Sequence, residues 1–240
     1  MPTESRMLFL KGDIVLDKKV KTSELFDCNN EYIAPLLENA EFPWEILPKI
    51  KDYILNLIEK GIDGYTLLSP GVLVGENVKI YPNTTIEAPA VIGSGTEIRP
   101  GAFIRGSVIT GEKCVLGNSS EFKNCILLDG VQVPHYNYIG DSILGNHSHT
   151  GAGTICSNLK TDGKPVVIRG ERNYETGLRK VGAILADGTD VGCSCVLNPG
   201  TVIGKNTSVY PNTSVRGVLG EDLIVKSMEN IVERRQERRL

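Results

Sequence analysis

The chain has 240 residues, 40% of them hydrophobic and 23% charged, with a formal net charge of −3. That length supports one large domain or two small ones with a sizeable core. The small net charge argues against a dedicated nucleic-acid binder, and no run of about 18 apolar residues offers a membrane span. The N-terminal MPTESRMLFLKGD is broken by charge too early for a signal peptide, so a cytoplasmic location is expected.

Composition changes near residue 66. Only Gly12, Gly61 and Gly64 precede it, against seven aromatic side chains. Residues 1–66 read as a small, partly helical cap. Ile46, Leu47, Ile50, Tyr53, Ile54, Leu57 and Ile58 fall at helical spacing over 46–60, and Gly61 is placed to end the helix. The segment holds no glycine-rich phosphate loop, so no nucleotide-binding domain is expected there. Solenoids need their open ends covered, and this segment could cover one.

From residue 67 a repeat takes over. Leu68, Val74, Ile80, Ile86, Ile92, Ile98 and Ile104 are each six apart, as are Leu185, Val191, Leu197, Ile203, Val209 and Val215. Four residues after most of them stands a small or β-branched side chain, such as Ala90, Thr96, Ala102, Thr201 and Thr207. A period of six matches neither a helical bundle nor an ordinary alternating sheet. It fits short strands joined by tight turns, with both positions facing inward because even separations share a strand face. Three hexads make a triangular coil, and stacked coils bury an aliphatic column. The predicted fold is therefore mainly β, a left-handed parallel β-helix over 67–220. Between Ile104 and Leu185 the rule loosens: Ile109 to Val115 is six, Val115 to Phe122 seven, and Ile139 to Leu144 five. Residues 159–180, polar and basic, read as an excursion loop. Long loops on a rigid scaffold tend to carry function, so chemistry is expected in this irregular middle.

Six cysteines lack any C-x-x-C pair and read as reduced thiols, most of them small buried residues. Cys193 and Cys195, two apart, are expected on one side of a strand. Over 221–240, Leu223, Val225, Met228, Ile231 and Val232 suggest an amphipathic C-terminal helix, with Arg234, Arg235, Arg238 and Arg239 in its tail. All three histidines, His135, His147 and His149, lie within fifteen residues. A metal reading is open to them, but His147 and His149 are only two apart and no carboxylate motif accompanies them. The H-x4-H pattern of carbonic anhydrases built on this helix is missing, and no metal is expected.

The stretch VPHYNYIGDSILGNHSHTGAGTICSNLKTDGK (133–164), with EIRPGAFIRG (97–106) and GNSSEFK (117–123), resembles the acetyltransferase domain of bifunctional N-acetylglucosamine-1-phosphate uridyltransferases. It is closer still to the archaeal sugar-phosphate nucleotidyltransferase form, over roughly 67–220. The family's nucleotidyltransferase domain is expected to be missing. The resemblance implies an acyltransferase moving acetyl from acetyl-CoA to the amine of an amino-sugar phosphate such as glucosamine-1-phosphate. His135 matches the catalytic base, suited by an imidazole's ordinary pKa near neutrality. Arg99 and Lys123 match sugar-phosphate ligands, Tyr138 a substrate contact, and Asn158 and Lys164 residues that help hold substrate. Ala152 matches a position lining the acetyl-CoA site, with Cys193 and Pro211 at family small-residue positions on the same side. A family asparagine is His149 here, and a second lysine after Lys123 is Asn124. The family forms homotrimers with sites at subunit boundaries. A second reading is a non-catalytic trimeric module that binds or senses sugar phosphates or nucleotide sugars.

Overall fold

The structure, a computed structural model, describes residues 19–234. Three sheets of nine, seven and nine strands form the walls of a parallel β-solenoid. Face A runs from Val72–Val74 up to Val218–Leu219, face B from Lys79–Ile80 to Leu223–Ser227, and face C from Thr85–Glu87 to Ser214–Val215. Rungs are in register: Val91 pairs with Ile109, Ile98 with Leu116, and Ile104 with Phe122. The inward residues make one continuous core that includes Ile92, Ile98, Ile104, Leu116, Phe122, Val133, Leu144, Leu185, Leu197 and Val215. Fully burying such a side chain is worth about 1.5–3 kcal/mol, so this column is a large source of stability.

The spacing of six persists through the middle, in a different phase from that expected. Inward positions run Ile104, Thr110, Leu116, Phe122, whereas Ile109 and Val115 face outward. Thr110 hides the rule because it is polar, but its hydroxyl accepts the Gly93 N–H at 2.8 Å, so its burial leaves that oxygen paired. Two steps are a residue short, Phe122 to Leu127 and Ile139 to Leu144. Both sharpen the corner between faces C and A, where Asn124 and Asp141 take φ of +48°. Leu68 does not join the column. Its strand, Thr66–Ser69, folds back antiparallel on Val72–Val74 before the first coil, which leaves Leu68 49% exposed.

The cap contains helices Thr22–Leu25, Ala34–Glu38 and Ile50–Lys60, with single 3-10 turns at Pro43–Glu45 and Leu47–Lys49. Gly61, φ +77°, ends the last helix by returning its N–H to Leu57. The cap does not close an end of the solenoid. Ile33, Trp44, Ile46, Ile50 and Ile54 pack on the outward residues of face A, including Val91, Ile109, Ile126, Ile143 and Ile184. Face A is apolar on both sides and so must be covered, a property invisible in a hexad pattern that scores only inward positions. Polar bonds fix the seat. Tyr32 Oη donates to the Thr110 carbonyl at 2.8 Å, the Asp27 N–H to Asp187 Oδ2 at 2.7 Å, and Asn30 Nδ2 to Asp129 Oδ1 at 3.1 Å.

The excursion is anchored at its neck by a bridge between Leu159 and Lys180. It contains a hairpin of Val167–Arg169 with Asn173–Glu175. Val166 and Ile168 join the face A cluster, and the Tyr174 ring meets Phe42 and Trp44 edge-on at 5.4 and 5.7 Å. Gly200, φ +77°, permits this approach: a Cβ there would stand 2.7 Å from Val166 Cγ1. The helix expected over 221–240 is instead a β-hairpin, Leu223–Ser227 with Asn230–Glu233. Leu223 and Val225 alternate into the column as its last rung, and the exposed edge of face B offers unpaired backbone groups that favour strand addition. Arg235, Arg238 and Arg239 lie outside the described residues. Cys193 and Cys195 do not share a side either. Ser194, φ +57°, turns the corner between them, so Cys195 is buried and Cys193 exposed.

Candidate active site

The corner between faces B and C carries His135. It closes the strand Gln132–His135, and Tyr136 turns the chain at φ +52°. Buried Asn137 holds the corner. Its Oδ1 accepts the His135 N–H at 3.2 Å, its Nδ2 donates to the Gly151 carbonyl at 2.8 Å, and its own N–H donates to Ser120 Oγ at 3.1 Å. The His135 ring is left exposed. Successive coils repeat one bond here: the Gly153 N–H donates to the His135 carbonyl, Ser194 to Ala152, and Asn212 to Cys193. His135, Ala152, Cys193 and Pro211 therefore occupy one position on four consecutive coils and form a ladder along the corner.

A second group gathers at the sharpened corner between faces C and A. Asp141 is 4% exposed, and both its oxygens lie 3.2 Å from Lys123 Nζ. Asn124 Nδ2 donates to it at 2.9 Å and Asn158 Nδ2 at 2.6 Å. Asn158 Nδ2 also reaches Tyr138 Oη at 3.1 Å. Burial pushes the Tyr138 phenol above its usual pKa, with the Asn158 hydrogen bond opposing. A buried carboxylate is tolerated because each oxygen is paired. Three expected ligands, Lys123, Tyr138 and Asn158, are thus brought together by a residue that had not been singled out. Its signal was available: Asp141 follows Ile139 by two, inside a hexad step shortened to five.

The other expected residues stand apart. Arg99 lies on the face B side of the solenoid with its Nε 2.9 Å from Glu97 Oε1. His149 is on face B with Nδ1 2.8 Å from Asp190 Oδ1. Lys164 is on the excursion, exposed, its N–H bonded to Asp162. A histidine at 149 is explained locally, since Asp190 on the next coil fixes its ring. Asp190 and Asn137 are the other residues that sequence reasoning passed over. No group of three or more His, Cys, Asp or Glu among the described residues is placed to hold a metal ion, and no helix among them is long and apolar enough to cross a membrane.

Within one chain, then, an imidazole projects at a convex corner, a cation–amide–phenol group lies beyond face C, and Arg99 and His149 lie toward face B. The small side chains of the ladder leave a track along which a thin, extended molecule could lie against backbone.

Comparison with known proteins gives the following. The chain is 34% identical over 208 residues to a "Bifunctional protein GlmU" of Methanococcus aeolicus, covering 79% of this chain and 47% of that protein. It is 32% identical over 192 residues to a "Bifunctional sugar-1-phosphate nucleotidylyltransferase/acetyltransferase" of Sulfurisphaera tokodaii, covering 74% and 46%. The chain thus spans about half the length of the relatives it matches. Among solved structures, the acetyltransferase domain of PglB from Neisseria gonorrhoeae in complex with acetyl coenzyme A is similar at 12% identity. That similarity has a TM-score of 0.33 and covers 78% of this chain and 66% of that one. A family model described as the GMPPB C-terminal domain matches residues 86–219, from the first coils to the last rung of face A. The match takes in more than half of the chain and both corners described above, and the chain belongs to the GMPPB C-terminal domain family.

Proposed function

We propose that the chain is a CoA-dependent N-acetyltransferase acting on an amino-sugar phosphate such as glucosamine-1-phosphate, with acetyl-CoA as co-substrate and no metal. The observation that carries this reading is the ladder. The expected base and the three positions expected beside acetyl-CoA fall on one line along one corner. The Sulfurisphaera relative is named in part as an acetyltransferase, which supports this reading.

In the proposed reaction the sugar amine attacks the thioester carbonyl. A C–N bond forms and the C–S bond breaks. His135 takes the proton from the attacking nitrogen, and that proton passes to the departing CoA sulfur, which leaves as the thiol. Lys123 and Arg99 are assigned to the sugar phosphate, because a dianion is best met by an ammonium and a guanidinium. Tyr138, Asn158, His149 and Lys164 are assigned to the rest of the substrate. These groups lie on both sides of a convex corner, so one chain cannot converge them on one small molecule. With the outside of face A taken by the cap and the excursion, faces B and C are free to meet other copies, and a homotrimer with its sites between subunits would complete the constellation. A cytoplasmic setting fits these small-molecule partners.

One observation favours the non-catalytic reading. Asp141 already neutralises Lys123, the cation a substrate phosphate would use. An acetyl-CoA thiol-release assay over a panel of hexosamine phosphates decides between the two, with His135→Ala as control. Turnover that depends on His135 supports the enzyme, and silence on every sugar supports the binding module.

Thiol reactivity probes the ladder separately. Cys193 is exposed, whereas Cys114 and Cys156 are buried and burial pushes their thiols up to about 12. Because the thiolate is the nucleophile, N-ethylmaleimide is expected to modify Cys193 quickly and spare the buried pair in the folded protein. Saturating acetyl-CoA is expected to slow Cys193 labelling several-fold, read by peptide mass spectrometry. Unchanged labelling in its presence would remove Cys193 from the acetyl-CoA track.

A further inference from the structure

A cavity of about 710 Å³ lies where the excursion leaves the solenoid, at the corner between faces C and A near the last coils. None of the residues assigned above lines it, and Ser157 and Leu159, which do, flank Asn158 in the chain. Along face C the register runs from Lys123 to Gly140 and continues through Ser157 and Asn198 to Arg216. Four strand spacings of about 4.8 Å put Arg216 roughly 19 Å from Lys123 along the solenoid. The ladder of His135 runs along the other edge of face C.

The cavity is built by the fold rather than left over from it. The excursion hairpin rests on glycine corners, and at Gly217, φ +75°, a Cβ would stand 3.1 Å from the Arg169 carbonyl oxygen. This contact brings the strand bearing Arg169 over the coil bearing Arg216, and both side chains line the space. The third cation there, Lys160, is matched by Asp162 at 3.3 Å. Arg169 and Arg216 have no such match: neither guanidinium makes a hydrogen bond or ion pair among the described residues. The rest of the lining is mixed: Ser157, Thr161 and Asn198 are polar, and an apolar side is made by Leu159 and Val167 from the excursion with Met228 and Ile231 from the C-terminal hairpin. Leu159 is 44% exposed, large for an aliphatic side chain beside an anchored loop neck.

Two unmatched guanidiniums call for a polyanion that can take their forked donors, and phosphate oxygens do so in bidentate fashion. The apolar wall calls for a flat or hydrophobic body attached to it, and methionine packs well against aromatic rings. The volume falls in the range of sites for small organic ligands, about 300–1,000 Å³. We propose that this cavity is a second ligand site that binds a nucleoside diphosphate group. Its phosphates lie between Arg169 and Arg216, and its base and ribose lie against Leu159, Val167, Met228 and Ile231. The group could belong to a free nucleotide, to a nucleotide sugar or to the nucleotide end of CoA. The proposal does not depend on acetyl transfer at the His135 corner.

Calorimetric titration of the full chain with ADP, UDP-N-acetylglucosamine, CoA and inorganic pyrophosphate tests this and separates the sources. At least one nucleoside diphosphate compound is expected to bind more tightly than pyrophosphate. The Arg169→Ala/Arg216→Ala variant is expected to weaken that binding about tenfold or more through the lost charge-assisted bonds. Leu159→Asp, which puts a carboxylate on the apolar wall, should weaken it comparably. Both changes are at exposed side chains, and an unaltered circular dichroism spectrum and thermal midpoint will show that the fold is intact. Absence of binding by every compound at about 1 mM, binding indifferent to the arginine substitutions, or pyrophosphate binding as well as the nucleotides would overturn the proposal. So would a result in which CoA alone binds and alkylation of Cys193, rather than loss of the arginines, abolishes it. That outcome would assign CoA to the ladder and leave the acetyl-transfer reading standing.

Discussion

Replacing His135 by alanine is expected to lower kcat for acetyl transfer by about 10²–10⁴-fold, the usual contribution of a positioned general base, while leaving the fold and the KM for acetyl-CoA nearly unchanged. The structure allows a clean experiment. The ring is exposed, and the corner that presents it is held by the His135 backbone N–H on Asn137 and by Asn137 on Gly151, neither of which involves the imidazole. The effect should be confined to chemistry, because the ring's part is to accept the amine's proton. Steady-state kinetics with acetyl-CoA varied would check both kcat and KM. A loss smaller than threefold would show that another group takes the proton. His149, whose ring is already oriented by Asp190, would then be the next to substitute.

The largest effect on stability is expected at Phe122. Its side chain is fully buried in the column, between Ile104 on the coil below and Ile139 on the coil above. Truncation to alanine should cost about 3–5 kcal/mol, the transfer term plus the cavity left in a rigid, close-packed interior. Because each coil of a solenoid contacts only its neighbours, the damage should be local. Phe122 immediately precedes Lys123, and its strand pairs with the one carrying Tyr138, so the cluster around Asp141 should loosen with it. Urea unfolding followed by circular dichroism would measure the first effect. A midpoint shift equivalent to less than about 1 kcal/mol would mean that the column relaxes around the gap far more than this packing implies.

The inward column was legible because its rule is strict: one aliphatic residue every six, with a small residue four later. The same rule misled where its chemistry changed. Thr110 fills an aliphatic position with a hydroxyl that binds backbone, so the phase slipped to Ile109, which faces the cap instead. Leu68 has the right spacing but precedes the first coil. Leu223, Val225, Met228 and Ile231 satisfy a helical and a strand pattern equally well in so short a segment. The open edge of face B, which no local pattern contains, decides for strand. The cap's helix could be read from its apolar stripe, but not its seat, because the outward side chains of a solenoid carry no signature of their own.

The site divides in the same way. His135, Ala152, Cys193 and Pro211 could be named one by one from motif resemblance, yet their common line appears only when coils are stacked. Asp141 escaped notice because an aspartate in a turn is ordinary. Its meaning lies in what it gathers: Lys123 and Asn124 from the coil below, and Asn158 from the coil above.

The proposed activity stands most directly on where acetyl-CoA lies. A crystal structure of the chain with acetyl-CoA is predicted to show the pantetheine arm running along the corner between faces B and C, past Pro211, Cys193 and Ala152. The thioester should face the His135 ring, and a second subunit should close the other side. Acetyl-CoA found elsewhere on the solenoid, or bound with its thioester turned away from His135, would contradict it.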